Sequence, residues 1–159
     1  MTRWTRARGG AAVLVGAVFT NMWEEVAWAG FVQSRLTARR GLIVGALITG
    51  PLFAAQHLPI LLAGGNGLVS TLIVGCALAV LCVFFRYILG ATLLDTGGSL
   101  LIVGILHASS DASGAAFGTG WQQMLAIVPL ALLILAYRAV RHRPANTRTR
   151  AVEPAPVSA

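Results

Sequence analysis

The chain has 159 residues, 57% of them hydrophobic and 11% charged, and its net charge of +7 comes from 12 arginines and no lysine against five acids. With a mean hydropathy of +0.78 it is too apolar for a soluble domain of this size, and its length suits one bundle of about four or five spanning helices at about 20 residues per crossing. A nucleic-acid surface is excluded as well, because the arginines cluster at the ends of apolar runs and in the tail instead of forming a basic stripe, and they read as topology signals and lipid-headgroup contacts.

Residues 1–10 form a basic segment with Arg3, Arg6 and Arg8, and the apolar run behind it resembles a secretory leader with Ala27-Trp28-Ala29 at a cleavage site. Glu24 and Glu25 argue against a leader, whose apolar region normally runs uncharged to the cleavage region. The pattern instead predicts a first helix over residues 11–33 with the acidic pair in its second half. A basic connection, residues 34–40, holds Arg35, Arg39 and Arg40. A second helix is expected over 41–63, with Gly41 and Gly45 as a close-packing face and a kink at Pro51.

Gly64-Gly65-Asn66-Gly67 reads as a turn, and a third helix follows over 68–89. Cys76 and Cys82 lie six apart within it, without disulfide or metal-ligand spacing. Asp95 to Ser99 connects to a fourth helix over 100–117, where Gly114 and Gly118 repeat the small-residue spacing. A fifth helix, 121–137, is interrupted by Pro129 and ends in Arg138, Arg141 and Arg143. The expectation is an all-α polytopic transmembrane bundle of about five helices, with a membrane core over 11–138 and a basic, disordered tail over 139–159. Five crossings put residues 34–40, Arg86 and the tail on one side, and the positive-inside rule makes that side cytoplasmic in a multi-pass cell-membrane protein.

Ionisable residues at membrane depth are few: Glu24 and Glu25 on the first helix, His57 on the second, His107 and Asp111 on the fourth. Each acid carries an insertion penalty of about 2.5 to 3.5 kcal/mol at mid-membrane. Taken singly, a membrane histidine reads as a hydrogen-bonded packing residue. Together these residues are hard to explain as packing, and at about 1.5 Å per residue their depths of about 13 to 24 Å let them converge. His107 and Asp111, like Phe53 and His57, are four apart and share a helical face.

Carboxylates with two imidazoles suit two chemistries. A glutamate can act as general base on a water that a histidine helps to hold, with another histidine at the oxyanion. Alternatively Glu24, His57 and His107 can ligate a metal such as zinc, though the chain has no His-Glu-x-x-His run. A proton-coupled carrier would want polar residues on both sides of the midplane, whereas this chain clusters them on three helices.

Glu24-Glu25 with Trp28 and Gly30, then Phe53-x-x-x-His57, then His107-x-x-x-Asp111 resembles the three ordered motifs of the CAAX-protease and bacteriocin-processing (CPBP, Abi) family of intramembrane proteases. Thr96 to Leu100 is similar to the family as well, and the resemblance covers about residues 19–115. It implies a membrane peptidase with Glu24 activating water, His57 holding it, His107 and Asp111 at the oxyanion, and Glu25 and Phe53 in support. Its partners would be membrane lipid, a peptide or membrane-protein substrate, and, for so short a chain, a membrane partner protein; no cofactor is required in this reading. The resemblance also allows an inactive protein acting in bacteriocin immunity or as a scaffold. The family pattern has an arginine where this chain has Ala29. Without that cation, adjacent buried carboxylates disfavour double ionisation, and one of the pair is expected to be protonated.

Overall fold

The computed structural model describes residues 15–65, 67–117 and 121–141, and these are helical apart from short connections, with no strand among them. The basic segment 1–10 and residues 142–159 of the tail lie outside the described residues, as do Gly118 and the packing around Gly114. Helix α1 runs unbroken over residues 15–40. It is α-helical over 15–25, π-helical over Val26–Gln33, and α-helical again over Ser34–Arg40. The π segment starts immediately after Glu25, and the Ser34 N–H bonds to Ala29 O, five residues back. Wide turns of this kind concentrate at functional sites.

Residues 34–40, expected as a connection, therefore extend α1, and the true break is Gly41 at φ 83° and ψ 164°. Only glycine adopts that region without strain, so Gly41 serves the turn. A Cβ there would meet nothing, and Gly41 is not part of a close-packing face.

Helix α2 covers Leu42–Ala55 and α3 covers Leu58–Ala63. The interruption falls at Gln56 and His57, whereas the sequence placed it at Pro51, which α2 runs through. Pro59 accounts for the shift: it has no N–H to give to the carbonyl of Ala55, so the ladder stops there and restarts with proline in the first turn of α3. His57 sits at the restart, its carbonyl accepting from the N–H groups of Ile60 and Leu61.

Helix α4, Leu68–Asp95, is six residues longer than expected and packs against every other helix. Helix α5 is Leu100–Phe117 and α6 is Trp121–Arg141, which continues through Pro129. Two glycines set the critical crossings. A Cβ on Gly50 would lie 2.6 Å from the Cα of Val83, and one on Gly104 would lie 2.7 Å from the Cα of Met22. The first lets α2 touch α4, and the second lets α5 touch α1 one turn from both Glu25 and His107.

Polarity is inverted relative to a water-soluble bundle. Buried positions include Asn21, Glu25, Gln33, Thr49, Arg86 and His107, while Phe19, Leu47, Ile60, Ile73, Leu101 and Leu133 are exposed. Leu42–Ala63 and Leu68–Asp95 are long and apolar enough to cross a membrane, and Leu100–Ser113 is a shorter apolar helix. An apolar exterior around polar interior contacts is the arrangement a lipid solvent favours.

Candidate functional site

The centre of the polar interior is Glu25, from the last α-helical turn before the π segment. Asn21, Glu25, Ala29 and Gln33 are spaced four apart and are the buried residues of this face of α1. Arg86 approaches from α4, with Nη1 2.8 Å from both Glu25 carboxylate oxygens and both side chains 0% exposed. Its Nε donates to Gln33 Oε1 at 3.0 Å, and Gln33 Nε2 donates back to the Arg86 carbonyl at 2.7 Å. Arg86 Nη2 has no hydrogen-bond partner among the described residues. The guanidinium carbon lies 5.3 Å from the centroid of the Phe53 ring, whose face favours a cation.

Glu25 also accepts from His107 on α5, with Nδ1 at 2.9 Å from Oε1. A carboxylate accepts only, so Nδ1 carries the proton and Nε2 is left for other business. Nε2 lies 3.9 Å from Asp111 Oδ1, beyond hydrogen-bond range, and the Asp111 side chain is 59% exposed. The expected pairing of His107 with Asp111 on one face is present only as this 3.9 Å approach.

Phe53 joins the parts. Its ring stands 5.5 Å from that of Trp28, 5.4 Å from His57 and 5.7 Å from His107, centroid to centroid. Phe85 closes on His107 edge-on at 5.1 Å. His57 Nδ1 donates to the Phe53 carbonyl at 3.1 Å, which fixes the tautomer and leaves Nε2 as an acceptor. A cavity of about 100 Å³ is lined by Phe53, His57, Phe85, His107, Ser110 and Asp111, together with apolar neighbours from α4 and α6.

The structure thus brings His57, His107 and Asp111 to one small cavity. Glu25 lies behind His107, and Glu24 lies to one side, off the cavity lining. Glu24 Oε1 accepts from Gln56 Nε2 at 2.5 Å, and Gln56 Oε1 accepts from Trp28 Nε1 at 3.1 Å. Because Gln56 directly precedes His57, this chain of bonds ties the Glu24 carboxylate to the break between α2 and α3. Among the described residues no three of His, Cys, Asp or Glu lie together as a group that could hold a metal ion.

Four contributors escaped the sequence: Arg86, Gln33, Gln56 and Trp28 as a donor. The positive-inside reading counts Arg86 among the charges at a membrane boundary, whereas it lies inside the bundle, nine residues before the end of α4, and carries no topological information. A usable signal existed, since Arg86 is the single charge between Leu68 and Leu94, and an ionisable residue within such a run marks a site by default. A cation for the acidic pair is therefore present, supplied from α4 and not from position 29. Ala29 itself is 0% exposed and packs in a core with Phe85, Leu89 and Leu93, from the α4 turns around Arg86, and with Val103 of α5.

An all-helical membrane protein with a buried carboxylate, guanidinium and imidazole network beside a polar cavity is the class that fold and site define. The chain belongs to the type II CAAX prenyl endopeptidase Rce1-like family, whose match spans residues 8–113 and so contains every site residue from Glu24 to Asp111. The family is one of membrane-embedded CAAX proteases, which supports a protease-type function and a peptide substrate. No curated protein and no solved structure matches the chain significantly.

Proposed function

We propose that the protein is a membrane-embedded peptidase that hydrolyses a peptide bond in a membrane-associated substrate, with its arginine-rich end and C-terminal tail on the cytoplasmic side of the cell membrane. The observation that carries this reading is the bond from His107 Nδ1 to the Arg86-held Glu25, which leaves His107 Nε2 at a cavity shared with His57 and Asp111.

In this reading Glu24 is the general base. It takes a proton from a water that His57 Nε2 helps to position, and the water oxygen attacks the scissile carbonyl. His107, protonated on both nitrogens, donates from Nε2 to the oxyanion, while Glu25 on one side and Asp111 on the other balance its charge. Collapse of the tetrahedral intermediate breaks the C–N bond, and the proton held by Glu24 passes to the leaving amine. Glu25, Arg86, His107 and Asp111 then carry no net charge together, which suits a site lined by Phe53 and Phe85.

One observation favours a second reading, a non-catalytic membrane protein of the same fold acting in bacteriocin immunity or as a scaffold: Glu24 is engaged by Gln56 and lies off the cavity lining. Cleavage of a fluorogenic peptide with a farnesylated C-terminal CAAX sequence by purified protein decides between them. Peptidase activity that disappears in Glu24→Gln and in His57→Ala, with helicity retained, supports the first reading. Absence of cleavage by wild type, with a phenotype that survives both substitutions, supports the second.

A further inference from the structure

On the side of the bundle formed by α2, α4 and α6, two cavities of about 210 and 540 Å³ share Ile43, Tyr87 and Leu135 and so form one groove. Its deep part is bounded by Ala46, Leu47, Val83, Phe84, Ala131 and Leu132, all apolar. Ala46, Tyr87 and Ala131 are buried and form its floor, while Leu47 and Leu132 are about half exposed on its walls. Its wide end is bounded by Arg40 and Arg138.

Shape and charge together select the occupant. The deep part, about 210 Å³ in volume and lined by apolar residues with Tyr87, suits a hydrocarbon chain. The mouth is basic: Arg39 and Arg40 end α1, Arg138 and Arg141 end α6, and the described acid beside them is Asp95, which engages Nη1 of Arg138. A second copy of the chain seated by two-fold symmetry would set these arginines against themselves. A slim apolar tail joined to an anionic head fits both ends. Basic pockets between membrane helices hold such headgroups, and guanidinium groups match phosphate oxygens with paired N–H donors.

We propose that this groove binds an anionic phospholipid, with an acyl chain between α2, α4 and α6 and the headgroup phosphate between Arg40 and Arg138. The site rests on the chain lying in a membrane and is independent of the peptidase reading. It would brace α6 against Tyr87, the neighbour of Arg86 on α4.

The test is a titration of delipidated full-length protein in neutral detergent with phosphatidylglycerol or with phosphatidylcholine of the same acyl chains, read by native mass spectrometry and by the midpoint of thermal unfolding. Phosphatidylglycerol is expected to bind and raise the midpoint, phosphatidylcholine to do little, and inorganic phosphate alone to do nothing. Arg40→Gln and Arg138→Gln should each weaken phosphatidylglycerol about five-fold. Leu132→Trp, which fills the groove from a half-exposed wall, should abolish binding. Asp95→Asn breaks the same ion pair as Arg138→Gln but keeps the cation, so it should bind at least as tightly as wild type. Equal effects of the two lipids, stabilisation by phosphate alone, unchanged binding in both arginine variants, or weakening by Asp95→Asn to match Arg138→Gln would each overturn the proposal.

Discussion

The guanidinium of Arg86 and the carboxylate of Glu25 meet across 61 residues of sequence, with Nη1 2.8 Å from each oxygen and neither side chain exposed. Burial makes this pair asymmetric in its energetics: removing one partner strands a charge, whereas removing both does not. Arg86→Ala should lower stability by about 3–5 kcal/mol, and Glu25→Gln should be similarly costly. The double variant Glu25→Gln with Arg86→Met should be far less destabilised than the sum of its parts. Unfolding in mixed micelles of the wild type, both singles and the double checks this; additive losses would contradict it.

Ala29 follows from the same geometry. The position where the family pattern carries an arginine is fully buried against Phe85, Leu89 and Val103, and the charge is supplied from α4. Ala29→Arg alone should therefore destabilise the protein by about 3 kcal/mol or more, because it buries a second cation without a second carboxylate. Combined with Arg86→Ala it should recover part of that loss. Thermal midpoints of the two variants side by side give the answer.

The adjacent glutamates should separate cleanly. Glu24 is partly exposed and bonded to Gln56, so Glu24→Gln should leave stability within about 1 kcal/mol of wild type while removing cleavage by about 10²-fold or more. Glu25→Gln should reduce both. Measuring kcat, KM and the thermal midpoint on the same preparations distinguishes a residue that reacts from one that positions His107.

Gly104 tests the approach of α5 to α1. A methyl group at this position would fall 2.7 Å from the Cα of Met22, so Gly104→Ala must push the helices apart near the bond between His107 and Glu25. The expected loss is about 1–3 kcal/mol, with kcat falling and KM little changed. An unaltered kcat would show that this crossing does not set the position of His107.

Much of this arrangement was legible in the chain. The apolar runs, the turn at Gly64 to Gly67 and the spacings of Phe53 with His57 and His107 with Asp111 indicated a helical bundle with one polar focus, and the structure draws His57, His107 and Asp111 to one cavity. What stayed hidden depends on partners distant in sequence or on backbone detail without a local signature. Arg86 looks like a flanking charge until α4 is seen to continue to Asp95, and Gln33 and Gln56 become informative only once Arg86 and Glu24 face them. The π segment Val26–Gln33 leaves no mark on hydrophobic spacing. Pro51 reads as a kink, yet α2 runs through it, and it is Pro59, with no N–H for the carbonyl of Ala55, that ends the helix.

The most direct measurement of the central claim is kcat/KM for a farnesylated CAAX peptide with wild type, Glu24→Gln, His107→Ala and Arg86→Lys in lipid nanodiscs. The account predicts measurable cleavage by wild type and none by Glu24→Gln or His107→Ala. It further predicts an intermediate rate for Arg86→Lys, which keeps the charge on Glu25 but loses the planar fork. Cleavage at the wild-type rate in Glu24→Gln and His107→Ala would contradict it.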